Sequence, residues 1–235
     1  MNLSIPIKRA LLLCCGFGAI APAMAAEPTS GSAPASAVVP PVFEHPASSE
    51  QLAKILGPAA SALKSSAVLR GGFTQRKYLR ELPQPLVSSG EFVVARGLGV
   101  DWHTQKPFDA TVVLTPQALI QRGADGSSKR VSSDQQPGLR AVGEVFDALF
   151  TLDLAQLGET FALFGEAGDK SAWTLGLVPR EAAFAKVMNR IQITGTTQPG
   201  RIVLFEGSGD RTEIELGAVS SQKALADADR KLFAP

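Results

Sequence analysis

The chain has 235 residues with 23 Lys or Arg against 22 Asp or Glu, so its net charge is close to zero. This balance excludes the strongly basic surface that binding to nucleic-acid phosphates requires. The only two cysteines, Cys14 and Cys15, lie near the N-terminus, so no disulfide framework is expected in the rest of the chain.

Residues 1–25 have the pattern of a secretory signal peptide. Lys8 and Arg9 precede an apolar run from 10 to 20, and Ala23-Met24-Ala25 supplies the small-x-small pattern of a cleavage site. The run is short for a membrane-spanning helix, which favours a signal peptide. A transmembrane anchor is the alternative. Leu13 stands before Cys14, where a lipid-modified cysteine usually has a small residue. We therefore expect export with cleavage and without lipidation.

Residues 26–47 are rich in Pro, Ala and Ser, which predicts a flexible tether ahead of a single domain over residues 48–235. Ser48 and Gln51 form a capping-box pattern that starts a helix. Gly57-Pro58 is expected to interrupt and kink that helix.

Beyond residue 66 the hydrophobic period changes to that of strands. Phe92 and Val94 fall on one face of the second strand, and Gly71-Gly72 predicts a bulge or a close backbone approach in the first. Strand-like stretches with nearby turn residues cover 68–79, 90–95, 100–104, 110–115, 118–121, 171–177, 191–193, 201–206 and 211–216. This succession predicts an antiparallel sheet that curls.

One helical segment, starting at Pro137, interrupts the strands. Its apolar side chains form one stripe, composed of Leu139, Val142, Phe146, Leu149 and Phe150. An apolar stripe must be buried against another element, and the concave face of the sheet is the simplest partner.

No catalytic or metal-binding constellation is visible. His45 lies in the predicted tether, and His103 stands in a strand without the further ligands that a metal site needs. A Gly-x-Ser-x-Gly nucleophile motif is missing from the sequence. We therefore expect a protein that is not an enzyme and needs no cofactor.

Binding of acyl chains suits the remaining pattern. The chain has 12 Phe against one Tyr and two Trp, so its aromatic side chains are mostly apolar throughout. Each methylene buried against such a wall contributes about 0.8 kcal/mol. An ordinary Phe-rich core would give the same composition, so both interpretations stay open.

A family resemblance rests on the order of motifs between residues 63 and 119. Phe73-Thr74-Gln75 follows a helix, Gly90 to Arg96 gives an alternating strand that ends in arginine, and Trp102 and Thr104 to Pro107 come next. This order resembles the periplasmic outer-membrane lipoprotein carrier (LolA-like) family. The resemblance implies a mainly β fold with an α lid, in which a half-open curled antiparallel barrel is closed by short helices.

The same resemblance implies the function and the site. Such carriers take an acylated lipoprotein, or another acyl lipid, from an inner-membrane transporter and pass it to an outer-membrane acceptor. A monomer in the periplasm is expected, with no nucleic-acid partner. Arg96 holds the position of the lid latch. The acyl-chain cavity is expected to be lined by Phe92, Val94, Trp102, Leu139, Val142, Phe146 and Leu149.

Two departures from the family pattern point to a specialised relative rather than the general carrier. Gly97 stands where the family has proline, and the predicted tether is longer than a carrier needs. The alternative function on the same scaffold is a sensor or regulator of envelope lipids or lipoproteins.

Overall fold

The structure is a computed structural model that describes residues 39–135, 147–148 and 150–234. The predicted signal peptide lies outside the described residues. So do four residues of the predicted lid stripe, Leu139, Val142, Phe146 and Leu149. Among the described helices, none combines the length and the apolar character needed to cross a bilayer.

Across the described residues, a single antiparallel sheet of twelve strands forms the body of the protein. Its strands are β1 (Val68–Tyr78), β2 (Leu86–Ala95), β3 (Gly99–Lys106), β4 (Ala110–Leu114), β5 (Ala118–Gly123), β6 (Ser128–Ser132), β7 (Phe161–Ala167), β8 (Trp173–Pro179), β9 (Met188–Gly195), β10 (Pro199–Glu206), β11 (Arg211–Leu216) and β12 (Ser220–Gln222). The spatial order is β6-β5-β4-β3-β2-β1-β11-β10-β9-β8-β7, and β12 pairs with the start of β1. Because β6 and β7 end this order without pairing with each other, the curled sheet stays open, as predicted.

In the part of the chain that the structure describes, the helices are α1 (Ser49–Lys64), α2 (Leu154–Thr160), α3 (Ala182–Ala185) and α4 (Asp227–Leu232), and Asp147, Ala148 and Phe150 are also helical. The capping box of α1 is confirmed, since Ser48 N donates to Gln51 Oε1 over 2.8 Å and Gln51 N donates to Ser48 Oγ over 3.2 Å. The predicted interruption is wrong, because α1 continues through Pro58 for 16 residues. The loss of one intrahelical hydrogen bond at proline is offset by the burial of Leu52, Leu56 and Leu63.

The two faces of the sheet carry different hydrophobic clusters. One face packs against α1, and we call it the inner face. Its buried side chains include Phe73, Phe92, Val94, Trp102, Leu175, Ile193 and Ile214. The outer face carries a smaller cluster of Val68, Ala95, Val113, Ala118, Ile120 and Phe233, the last of which follows α4. Arg70 of β1 donates to the buried carboxylate of Asp229, which fixes α4 to the outer face.

The packed chain begins before the boundary expected at Ser48. A 3-10 turn over Pro41–Glu44 buries Val42, and Phe43 packs on the outer face against Phe164 at 5.8 Å between ring centroids. The chain then follows the free edge of β7, where His45 O accepts from Gly165 N over 3.1 Å. Residues 41–47, the N-terminal strap, therefore cover this edge, although the sequence predicted a flexible tether there.

Gly71 illustrates a close approach rather than a bulge. Strand β1 runs unbroken through Gly71, and a Cβ at this position would lie 3.0 Å from Phe92 Cε1. The absence of a side chain thus lets Phe92 of the neighbouring strand lie across the backbone of β1.

Candidate functional site

An aromatic wall lies at the centre of the inner face. Phe73, Phe92 and Trp102 come from three neighbouring strands, because period-2 alternation directs each of them to the same side. Trp102 stacks on Phe73 at 4.0 Å and on Phe92 at 5.9 Å between ring centroids. Val94 is buried on the same face. The structure thus brings together the three sheet residues that the sequence assigned to the acyl-chain cavity, Phe92, Val94 and Trp102.

Helical residues cover this wall. The Phe150 ring lies 5.8 Å from the Phe92 ring, and both side chains are almost fully buried, as is Ala148. Phe150 was part of the apolar stripe identified in the sequence. Its contact with Phe92 provides one described point at which helix and inner face meet as expected.

Arg96 follows the last residue of β2 and lies at the rim. Its side chain is exposed, and Nη2 donates to the carbonyl oxygen of Leu63 over 2.9 Å. Its backbone N–H donates to Ala67 O over 3.0 Å. The described partner of Arg96 is therefore the last turn of α1. Its side chain does not lie inside with Phe92 and Val94, because β2 ends before it.

The turn after Arg96 has a backbone conformation that excludes proline at position 97, where the resemblance led us to expect one. Gly97 has a φ of +73°, a conformation that proline cannot adopt because its ring fixes φ near −65°. The Gly97 N–H approaches the carboxylate of Asp147. Burial raises the pKa of Asp147, while the hydrogen bond from Gly97 and the charge of Arg96 oppose that rise. The rim turn and the helical segment thus meet at Asp147.

A buried polar group occupies a second part of the inner face, which the sequence analysis missed. Lys77 Nζ lies 3.0 Å from Glu206 Oε1, and Thr212 Oγ1 donates to the same oxygen over 3.3 Å. The relative exposures are 3% for Lys77, 8% for Glu206 and 0% for Thr212. The sequence did contain an indication of this group. Lys77 is four residues from Phe73 on β1, so strand alternation directs both side chains inward.

The two histidines are paired at the surface. His103 Nε2 lies 2.9 Å from Asp109 Oδ2, and His45 Nε2 lies 3.8 Å from Glu166 Oε2. Across the described ranges, no group of three or more His, Cys, Asp or Glu side chains is placed to hold a metal ion.

The sequence profile of a known family, outer membrane lipoprotein carrier protein LolA, matches residues 64–234. The chain belongs to this family. The match covers the sheet from before β1 to α4, including the aromatic wall, Arg96 and the buried polar group. A family of carrier proteins agrees with the expectation of a binding protein rather than an enzyme. No curated protein gives a significant match.

Several solved structures are similar to this chain at low identity and with TM-scores below 0.5. A LolA superfamily protein from Nitrosomonas europaea matches with 13% identity and a TM-score of 0.43, over 77% of this chain and 96% of that one. The MucA/MucB complex of Pseudomonas aeruginosa gives 16% identity and a TM-score of 0.42, over 78% of this chain and 60% of that one. A putative outer membrane lipoprotein-sorting protein domain from Vibrio parahaemolyticus gives 10% identity and a TM-score of 0.39, over 80% and 100%.

Proposed function

We propose that this LolA-family protein is a periplasmic carrier that shields acyl chains of lipoproteins, or of a related acyl lipid, against the inner face of its sheet. It accepts them from an inner-membrane transporter and delivers them to an outer-membrane acceptor. Export depends on the predicted signal peptide over residues 1–25, and the carrier acts as a monomer without a cofactor. The observation that carries the proposal is the aromatic wall of Phe73, Phe92 and Trp102, closed by Phe150.

An acyl chain can replace the helical cover at small cost. Exposing a buried Phe side chain such as Phe150 costs about 1.5–3 kcal/mol. Each methylene buried in its place returns about 0.8 kcal/mol, so roughly four methylenes offset the displaced ring. A longer chain then binds with net gain, and the cover closes again once the cargo has left.

Tryptophan quenching tests this proposal, because the chain contains only two tryptophans, Trp102 and Trp173. A Trp173→Phe variant reports on Trp102 in the aromatic wall, and a Trp102→Phe variant reports on Trp173. Acyl chains brominated at mid-chain, added as the free acid and as the monoacylglycerol, should quench Trp102. The quenching should saturate at a stoichiometric ratio of ligand to protein. Trp173 should be quenched less, because β11, β10 and β9 separate its strand, β8, from β1.

Delivery is tested separately with radiolabelled lipoprotein and purified membranes. The loaded protein should pass its cargo from inner-membrane to outer-membrane vesicles in the absence of detergent. If Trp102 is not quenched by any acyl chain while the protein is folded, the proposed binding surface is wrong. Quenching without delivery would leave binding intact and rule out the carrier role.

A further inference from the structure

The buried polar group at Lys77, Glu206 and Thr212 lies on the same face as the aromatic wall. Lys77 is four residues beyond Phe73 on β1, which places it about 13 Å farther along the strand. Glu206 and Thr212 come from β10 and β11, which continue the inner face on the other side of β1. An elongated ligand on the aromatic wall can therefore extend to this group.

Stability alone is a weak reason for this arrangement. Moving two charges out of water costs several kcal/mol for each ion, and their attraction often does not exceed that cost. Replacing such a pair with apolar side chains of similar volume is often neutral or stabilising. The inner face consists otherwise largely of apolar side chains, so a binding role is the better explanation for a charged pair within it.

We propose that Lys77, Glu206 and Thr212 bind the uncharged ester or amide linkage that joins an acyl chain to its head group. The proposal rests on the proposed function and names the part of the cargo that this site recognises. The charges of Lys77 and Glu206 cancel, so a carboxylate or phosphate would enter as an unbalanced charge, which is costly in a buried site. A carbonyl oxygen brings no net charge and accepts hydrogen bonds.

The donors suit such a carbonyl. An ammonium has three N–H donors, and Glu206 accepts one from Lys77 in this structure. The Thr212 hydroxyl can both donate and accept. Lys77 can therefore keep its bond to Glu206 while it donates to an ester or amide oxygen of the ligand.

Two ligands that differ only in the carbonyl provide the test. Monopalmitoylglycerol has an ester linkage, the hexadecyl ether of glycerol lacks the carbonyl, and palmitate carries a negative charge. Affinities are measured by displacement of a neutral apolar dye. We expect the unmodified protein to bind the ester roughly tenfold more tightly than the ether, which is the effect of one hydrogen bond to a charged donor. Palmitate should bind more weakly than the ester.

Variants of the cluster then assign the preference. Lys77→Met combined with Glu206→Leu should abolish the difference between ester and ether and retain the affinity for the ether. Glu206→Gln leaves the cluster with a net positive charge. The affinity for palmitate should therefore increase roughly tenfold relative to the affinity for the ester. The control is Arg76→Met with Glu215→Leu, an ion pair of 3.0 Å at the surface of β1 and β11, which should change neither ratio.

The outcomes separate the two proposals. An unchanged ester-to-ether ratio in the folded double variant, or an unchanged palmitate-to-ester ratio in Glu206→Gln, overturns the assignment of the cluster and leaves acyl-chain binding in place. If the double variant does not fold, the Glu206→Gln result decides. If the unmodified protein binds none of the three ligands, the proposed function fails, and the assignment of the cluster fails with it.

Discussion

Arg96 and Leu63 connect the rim of the sheet to the first helix through a hydrogen bond of 2.9 Å from Nη2 to the carbonyl oxygen. Leu63 lies in the last turn of α1, where carbonyl groups have no partner within the helix. The Leu63 carbonyl oxygen also accepts from Ser66 N over 3.0 Å, so Arg96 is an additional donor that fixes α1 to the turn after β2. Movement of α1 away from the inner face requires that this bond break.

The first prediction concerns this bond. Arg96→Leu should speed both uptake and release of an acyl probe by roughly tenfold, because a hydrogen bond from a charged donor, about 1.5 kcal/mol, no longer opposes opening. Stopped-flow fluorescence of a brominated or dye-labelled chain measures both rates. Arg96→Lys is the matched control, since it keeps the charge near Asp147 and a donor for Leu63. Equal rates in all three proteins would show that Arg96 is an ordinary rim residue.

The second prediction concerns the N-terminal strap. A side chain at Gly176 would meet Phe43, whose Cε1 lies 3.0 Å from the position of a Cβ there. Gly176→Leu should therefore displace Phe43 and expose the strap to proteases, with a loss of about 1.5 kcal/mol in the free energy of unfolding. Limited proteolysis and urea unfolding measure the two effects.

Two further variants make this test specific. Phe43→Ala should reproduce much of the loss, and the double variant should lose less than the sum of the two, because both changes remove the Phe43 contact while Phe164 Cβ, 3.1 Å from the Cβ position, still opposes the new side chain. Gly200→Leu is the control, since the nearest heavy atom to a Cβ there is 3.9 Å away. Additive losses in the double variant would mean that Gly176 and Phe43 act independently.

The sequence predicted most of the strands but missed β6, β7 and β12. Strand β1 alternates from Phe73 to Lys77 and β2 from Phe92 to Val94, so most of the aromatic wall could be inferred. Strand β7 was missed because both its faces are covered, Phe161 and Leu163 inside and Phe164 under Phe43. Strand β6, with the sequence SKRVS, has too few apolar residues to give a periodic signal.

The site was predicted where it is apolar and missed where it is polar. Phe92, Val94 and Trp102 follow from alternation and from the family resemblance. Lys77 and Glu206 come from strands that are distant in sequence, and only the tertiary fold brings their side chains together. A sequence pattern treats a lysine at an inward position as an interruption of the apolar face, since it does not reveal the partner that makes burial possible.

The third prediction concerns the docking of α4. The hydrogen bond from Arg70 lowers the pKa of Asp229 below the usual 3.8, with burial acting in the opposite direction. A carboxyl group with a lowered pKa stabilises the fold above its usual pKa, and this stabilisation is lost as the pH falls through the lowered value. Asp229→Asn should therefore cost roughly 1.5–3 kcal/mol of unfolding free energy at pH 7 and progressively less in acid.

Urea unfolding over a range of pH measures this effect. Asp227→Asn is the control in the same first turn of α4, because the Asp227 side chain is 100% exposed. It should change the stability by less than about 0.5 kcal/mol. A loss in Asp229→Asn that does not depend on pH would mean that the ionised carboxylate is not the stabilising form.

The last prediction concerns Asp101 on the outer face of β3. Ionisation of this side chain should destabilise the fold, whereas ionisation of Asp229 stabilises it. Its neighbours across the strands are Val93 and Val113, and its exposure is only 6%. Burial raises the pKa of Asp101 above the usual 3.8, and the charges of His103 and Arg122 compensate only in part. The folded protein therefore binds a proton more readily than the unfolded chain does, and its stability falls as the pH rises through the raised pKa. Ionised Asp101 weakens the fold at neutral pH.

Asp101→Asn should accordingly increase the free energy of unfolding at pH 7, because the neutral amide is less costly to bury than a carboxylate. The gain over the unmodified protein should shrink as the pH is lowered and disappear below 3.8, where Asp101 is protonated in both states. Asp134→Asn, at an exposed position after β6, should show no such dependence. Urea unfolding at several pH values separates the two variants. A loss of stability in Asp101→Asn at pH 7 would instead mean that the carboxylate is held by favourable charges, with His103 and Arg122 outweighing the cost of burial.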